Sequence, residues 1–271
     1  MVIDFHTHIF PSKVAAKAVP KLAQVIHLTP SMDGTDAGLT ASMEKSQVDL
    51  SLVLPVVTDP HQFDSILKFA AYINEAYQSA SPRLLSFAGI HPASQDYKEQ
   101  LRTISREGFR GIKLHPNYQG FVFDDIRYLR LVYAASELGL SILVHTGYDP
   151  YTPNEVFCSP DMILHVLEET APPRLILAHM GNNENYEEAE EKLCGKPVYL
   201  DTAYSLMHMP EEQFVRMVHL HGAHRILFGT DAPWTSQEEC VKKLRDMPGL
   251  STQEKEQILW QNASILLGVE P

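Results

Sequence analysis

Residues 2–8, Val2-Ile3-Asp4-Phe5-His6-Thr7-His8, begin as an apolar strand and end in two histidines one residue apart. A strand that opens a doubly wound nucleotide-binding sheet leads into a glycine-rich phosphate turn, and none follows here. Seven more short apolar runs succeed it, at Leu50-Val57, Leu84-Ile90, Gly111-His115, Ser141-His145, Leu175-Ala178, Val198-Asp201 and Ile226-Gly229. Such nearly continuous apolar runs suit parallel strands buried on both faces. Between them the apolar spacing turns helical. In residues 61–79 it falls on Phe63, Ile66, Leu67, Ala70, Ile73 and Tyr77. Comparable segments are 94–106, 126–138, 161–170, 184–193, 211–220 and 237–245. Eight strands alternating with helices predict an α/β chain folded as a single (β/α)8 (TIM) barrel. Residues 254–267 read as an extra C-terminal helix that closes it. The 271 residues match the usual size of one such barrel, and no linker or repeat divides residues 1–271 into further domains.

Composition narrows the function. Acidic residues outnumber basic ones 34 to 22, for a net charge of -12. That field repels phosphate backbones and anionic lipid, so neither nucleic acid nor a membrane is an expected partner. No apolar run approaches the ~20 residues that span a bilayer. Cys158, Cys194 and Cys240 are odd in number and form no CxxC pair. A cytoplasmic protein with reduced thiols that acts on a small molecule is the expectation.

The polar residues at the strands' carboxyl ends carry the chemistry. His6 and His8 end the first run, His91 follows the third and His115 ends the fourth. His145 ends the fifth, His179 follows the sixth and Asp231 follows the eighth. In a barrel these ends share one rim, where active sites sit. Residues i and i+2 of a strand face the same side, so His6 and His8 can share one ion while Thr7 faces the helices. Imidazoles with one carboxylate suit zinc or another borderline divalent ion, and the absence of a cysteine argues for an open, catalytic site. The remaining histidines, from His27 to His224, read as surface or packing residues.

The chain resembles the amidohydrolase superfamily in its amidohydrolase-related (amidohydrolase 2) branch, which includes zinc-dependent decarboxylases and lactone or amide hydrolases. The matching segments are Asp4-Phe5-His6-Thr7-His8, Gly111-Ile112-Lys113-Leu114-His115-Pro116, Val144-His145, Ala178-His179-Met180-Gly181 and Phe228-Gly229-Thr230-Asp231-Ala232-Pro233-Trp234. Asn262-Ala263 followed by Leu266-Leu267-Gly268 resembles the family's final helix. The resemblance implies that His6, His8, His145 and Asp231 hold one Zn2+, with Asp231 and His179 as the catalytic acid/base pair. It also allows a second ion, with Lys113, His115 and His179 as candidates for that ion or for substrate. Tyr118, Asn182 and Trp234, on the loops after strands four, six and eight, are the expected substrate contacts. Arginines are scarce on those loops, so a neutral or singly charged substrate is expected.

Three functions follow from this set. The first is hydrolysis of an amide, lactone or related C–N or C–O bond by a metal-activated water. The second is zinc-dependent non-oxidative decarboxylation of a small carboxylic acid. The third is metal binding without catalysis. A homodimer is compatible with the sequence, although no interface is readable in it.

Overall fold

In a computed structural model, which describes residues 1–81 and 83–270, nine parallel strand segments form the centre of the molecule. They are β1 (Ile3–Thr7), β2 (Leu50–Val53), β3 (Arg83–Ser86), β4 (Ala88–Gly89), β5 (Gly111–Leu114), β6 (Ser141–Val144), β7 (Leu175–Leu177), β8 (Tyr199–Asp201) and β9 (Ile226–Leu227). β3 and β4 are halves of one barrel strand interrupted at Phe87, whose N–H still donates to Val53 O at 3.1 Å. β3 pairs with β2 and β4 with β5, so the run continues across the break. The ring closes between first and last strands: Phe5 N donates to Phe228 O at 2.7 Å and Asp231 N to His6 O at 2.8 Å. His8 N donates to Ala232 O at 2.7 Å. The eight-strand barrel expected from the sequence is the fold.

Side-chain alternation divides the core into two shells. Ile112, Leu114, Ile142, Val144, Leu175, Leu177, Leu200, Ile226 and Phe228 pack outward against the helices. Ile3, Phe5, Leu50, Leu52, Leu54, Phe87, Leu143, Ile176 and Leu227 fill the interior. Ala263, Leu266 and Leu267, from the helix Asn262–Leu267, join that inner cluster. The C-terminal segment therefore packs against the barrel interior, as expected.

Strict alternation fails once, in β1. Asp4 pairs with Ser51 but Thr7 pairs with Val53, so β1 carries one extra residue across that interval. Such a bulge bends a strand and re-aims its side chains. It lets Phe5 lie in the inner cluster and the next residue, His6, face the rim. Two helices, Ser12–Ile26 and Asp36–Ser46, occupy the long segment between β1 and β2. Among the described residues, no helix is long and apolar enough to cross a membrane.

Candidate metal centre

His6, His8 and Asp231 meet at the mouth of the barrel. The Nε2 atoms of the two histidines are 3.1 Å apart. Asp231 Oδ1 lies 3.2 Å from His8 Nε2 and 3.5 Å from His6 Nε2. The hydrogen positions follow from the partners. A carbonyl can only accept, so His8 Nδ1 carries its hydrogen and donates to Leu54 O at 3.0 Å. His6 Nδ1 donates to the Asp201 carboxylate at 2.8 Å. As neutral rings, both histidines turn a bare Nε2 toward Asp231, so three acceptors converge. Around a tetrahedral zinc with bonds of about 2.1 Å, donor atoms lie roughly 3.4 Å apart, close to what is observed. The donor set fits a divalent cation.

The charge balance supports that fit. Asp4, Asp149, Asp201 and Asp231 are buried, against Lys113 as the one buried lysine or arginine among the described residues. Uncompensated buried charge is costly, so such a surplus of carboxylates calls for a cation. Burial pushes the His6, His115 and His145 imidazoles well below their usual range, and His179 down to about 4. Burial thus favours the neutral form of these four rings, the form in which imidazole ligates.

The supporting carboxylates were not singled out in the sequence. Asp201 Oδ1 accepts from His179 N and Ala203 N, while its Oδ2 holds His6. This histidine–carboxylate pairing fixes the ring and raises its basicity. Asp4 accepts from His6 N and Thr230 N through Oδ1, and from Thr230 Oγ1 and Gln237 Nε2 through Oδ2. It thereby ties the backbone beside His6 to the backbone beside Asp231. Both His179 and Asp231 have left-handed backbones, with φ of 55° and 68°. Such conformations in non-glycine residues persist only where the surroundings impose them, and they cluster at functional sites.

His145, the expected fourth donor, does not join the trio. Its Nδ1 lies 2.9 Å from His179 Nε2, and its Nε2 faces Asp149 Oδ2 at 3.6 Å. His179 borders the trio, its ring centroid 5.3 Å from that of His6. Lys113 lies deep in the barrel with Nζ 3.2 Å from His6 Nε2. Burial pushes its amine down to about 8, against the pull of Asp201, Asp231 and Asp149. His115 stacks between Tyr118 and His145 and lies 3.7 Å from Asp149 Oδ2. Of the expected substrate contacts, Tyr118 lines this stack. Asn182 instead donates its amide to Glu188 at 3.1 Å. Trp234 lies three residues past Asp231, and its backbone N–H donates to Asp231 O. His91 serves packing: its Nδ1 accepts from Ala93 N and its ring meets Phe121 edge-on.

A family model described as amidohydrolase matches residues 3–269. The chain belongs to the amidohydrolase family. It is an enzyme of that family, which sets aside the reading of metal binding without catalysis. No curated protein matches its sequence. Among solved structures it is similar to a 2,6-dihydroxybenzoate decarboxylase from Rhizobium, with 15% identity, 98% of each chain covered and a TM-score of 0.73. It is also similar to a 5-carboxyvanillate decarboxylase from Sphingomonas paucimobilis, at 12% identity, 99% of each chain and 0.71. The enzyme of that activity from Novosphingobium aromaticivorans, complexed with manganese and 4-hydroxy-3-methoxy-5-nitrobenzoic acid, shares 16% identity. That pair covers 99% of this chain and 96% of the other, with a TM-score of 0.74. At such identities the likeness establishes the fold.

Proposed function

We propose that this amidohydrolase-family enzyme is a metal-dependent, non-oxidative decarboxylase of a small molecule bearing a single carboxylate. The observation that carries the reading is Lys113, a buried ammonium beside the trio with no carboxylate within ion-pairing distance among the described residues. It offers one countercharge where a carboxylate would meet the cation. The similar decarboxylase structures point the same way, so decarboxylation moves ahead of the hydrolysis expected first from the sequence.

His6 Nε2, His8 Nε2 and Asp231 Oδ1 would hold one divalent ion, with zinc and manganese both suited to the donor set. Bound there, it would supply Lewis acidity that stabilises the negative charge developing on the substrate. Lys113 orients the carboxylate. As the carbon–carbon bond breaks, its electron pair stays on the substrate carbon, carbon dioxide leaves and that carbon takes up a proton. His179 is placed to manage this proton. Its Nδ1–H is anchored on Ala203 O at 3.0 Å, which leaves Nε2, 2.9 Å from His145 Nδ1, as the nitrogen that can take or give a proton. With its pKa near 4, a proton placed on that nitrogen is given up readily.

Hydrolysis keeps one observation in its favour. At neutral pH His179 is unprotonated at Nε2, whose lone pair would take a proton from water once the contact with His145 Nδ1 opens. One experiment separates the readings. The metal-loaded protein is screened against monocarboxylic acids, lactones and amides in 18O-labelled water containing D2O. Carbon dioxide release with deuterium on the product carbon supports decarboxylation. Incorporation of 18O without carbon dioxide overturns it and restores hydrolysis.

A further inference from the structure

We propose that two copies of this chain pack about a two-fold axis through the outer face of the helices Tyr97–Arg106 and Ile126–Glu137. The helix Ile126–Glu137 is apolar on two sides. Tyr128, Leu131, Val132 and Ala135 are buried on the first. On the second, Ile126 is 69% exposed and Tyr133 55%, with Leu129 between them and Leu138 just past the helix end. Ile126, Leu129 and Tyr133 follow at helical spacing, so they form one continuous stripe rather than scattered positions. Tyr97 and Leu101 of the neighbouring helix join that stripe in lining a groove of about 440 Å³. A helix with one apolar side covered and a second left open is suited to a second partner.

Charge decides what that partner is. The groove is also lined by three cations, Lys98, Arg102 and Arg130, and by two carboxylates, Glu137 and Glu169. The fold separates them. The outer helices of a barrel start at the rim, so Lys98 and Arg130 lie in the rimward halves of their helices, with Arg102 near mid-helix. Glu137 ends its helix and Glu169 is next to last in the helix Pro160–Thr170, which puts both at the far end. Arg102 pairs with Glu99 at 3.3 Å, and Arg130 lies over the Tyr97 ring at 4.7 Å. Lys98, Arg130, Glu137 and Glu169 have no ion-pair partner among the described residues. A surface with cations at one end and carboxylates at the other is self-complementary. A two-fold axis across its middle sets each copy's cations against the other's carboxylates, as an isologous contact requires. That matching offsets the general repulsion between two chains of net charge -12. An acidic protein or an anionic membrane would instead be attracted at one end and repelled at the other. Tyrosine and arginine at the centre of the face are the residue types enriched where proteins meet.

The contact does not depend on which reaction the enzyme catalyses or on its metal. Sedimentation velocity of the full-length protein over a range of concentrations tests it. The unaltered protein should reach twice the chain mass. Tyr133→Asp, which places a charge in the apolar stripe, should give a monomer. Arg130→Glu and Glu137→Lys should each weaken association by about tenfold or more, because each sets like charges against each other. An equimolar mixture of those two variants should associate more tightly than either alone, since every reversed end then meets an opposite charge. A monomer at every concentration overturns the proposal. So does a dimer that neither Tyr133→Asp nor Arg130→Glu disturbs, which would place the contact on another face. A mixture no tighter than its components overturns the two-fold arrangement and the proposal with it. Should a variant misfold, hydrogen exchange of the unaltered protein decides. Residues 97–106 and 126–138 should exchange more slowly at high concentration than at low, and equal exchange there overturns the proposal.

Discussion

The two sides of the barrel mouth hold their donors in different ways. On the β1 and β9 side every donor is braced by hydrogen bonds: His6 by Asp201, His8 by Leu54 O, and Asp231 through its own N–H to His6 O. Behind them Asp4 joins the two strands. On the β5 and β6 side His115 rests between two aromatic faces, at 3.9 Å from Tyr118 and 4.1 Å from His145. Asp149 is steadied by one backbone donor, Tyr151 N at 2.7 Å. A braced set loses little freedom on binding and so holds an ion tightly. The first side is therefore the one proposed to hold the catalytic ion, and the second is the more easily rearranged.

The largest effect should come from breaking the braced side. Asp231→Ala or His8→Ala should lose the trio's metal and lower kcat/KM by on the order of 10³ or more, since Lewis-acid stabilisation amounts to several kcal/mol. Retained activity in metal-stripped protein would refute the comparison at its root.

The stacked side should reveal itself through pH. Burial pushes the Asp149 carboxyl up to about 6, with Asp231 adding to the rise while Tyr151 N–H and Lys113 oppose it. The folded metal-free protein thus binds this proton more tightly than the unfolded chain. Its contribution to stability is full below about pH 4, and is lost as pH rises through 6. A shift from 3.8 to about 6 corresponds to about 3 kcal/mol. Asp4 and Asp201 shift in the same direction, so the comparison must be made with Asp149→Asn, whose urea-unfolding profile between pH 4 and 6.5 should be flatter. Parallel profiles for the two proteins would mean that Asp149 is better satisfied than its contacts indicate.

Bracing itself is tested by Asp201→Asn. An amide keeps the shape but loses the charge that makes His6 a stronger donor. Metal affinity at the trio should fall ten- to a hundredfold in a chelator competition. The stack of His115 on His145 should be little changed, because Asp201 contacts neither ring directly.

These two sides were unequally legible in the sequence. All eight strands could be read because each is a short apolar run, most of them with a polar residue at or just past the carboxyl end. His6, His8 and Asp231 could be read for the same reason. The helices Ser12–Ile26 and Asp36–Ser46 could not. The first contains Pro20, which argues against a helix interior, and in the second Leu39 and Met43 are the only large apolar residues. Asp201 left a signal that went unused, since it ends β8 as plainly as His115 follows β5. Asp4 stands two residues before His6, yet it faces Ser51 and Gln237 on the helix side, and the bulge that separates the two is invisible to a period-two pattern. Asp149 lies in an irregular loop, where a lone aspartate is ordinary. The grouping of His145 also escaped, because strand order fixes where a ring begins and its hydrogen bonds fix which nitrogen is free.

The smallest expected effect bears on stacking alone. Tyr118 lies over His115 at an interplanar angle of 6° and meets Tyr151 edge-on at 5.0 Å. An aromatic pair contributes about 0.5–1.5 kcal/mol beyond the area it buries. Tyr118→Leu keeps most of the apolar bulk and removes the flat face. The folded-to-unfolded ratio should then fall by roughly two- to tenfold, read as a lower urea midpoint. Metal affinity at the trio should be as before, because its donors are held by Asp201, Leu54 and the backbone of β1. Weakened metal binding at the trio would show that the two sides move together. The stack would then be part of the bracing, and the division of the rim drawn from its hydrogen bonds would have to be abandoned.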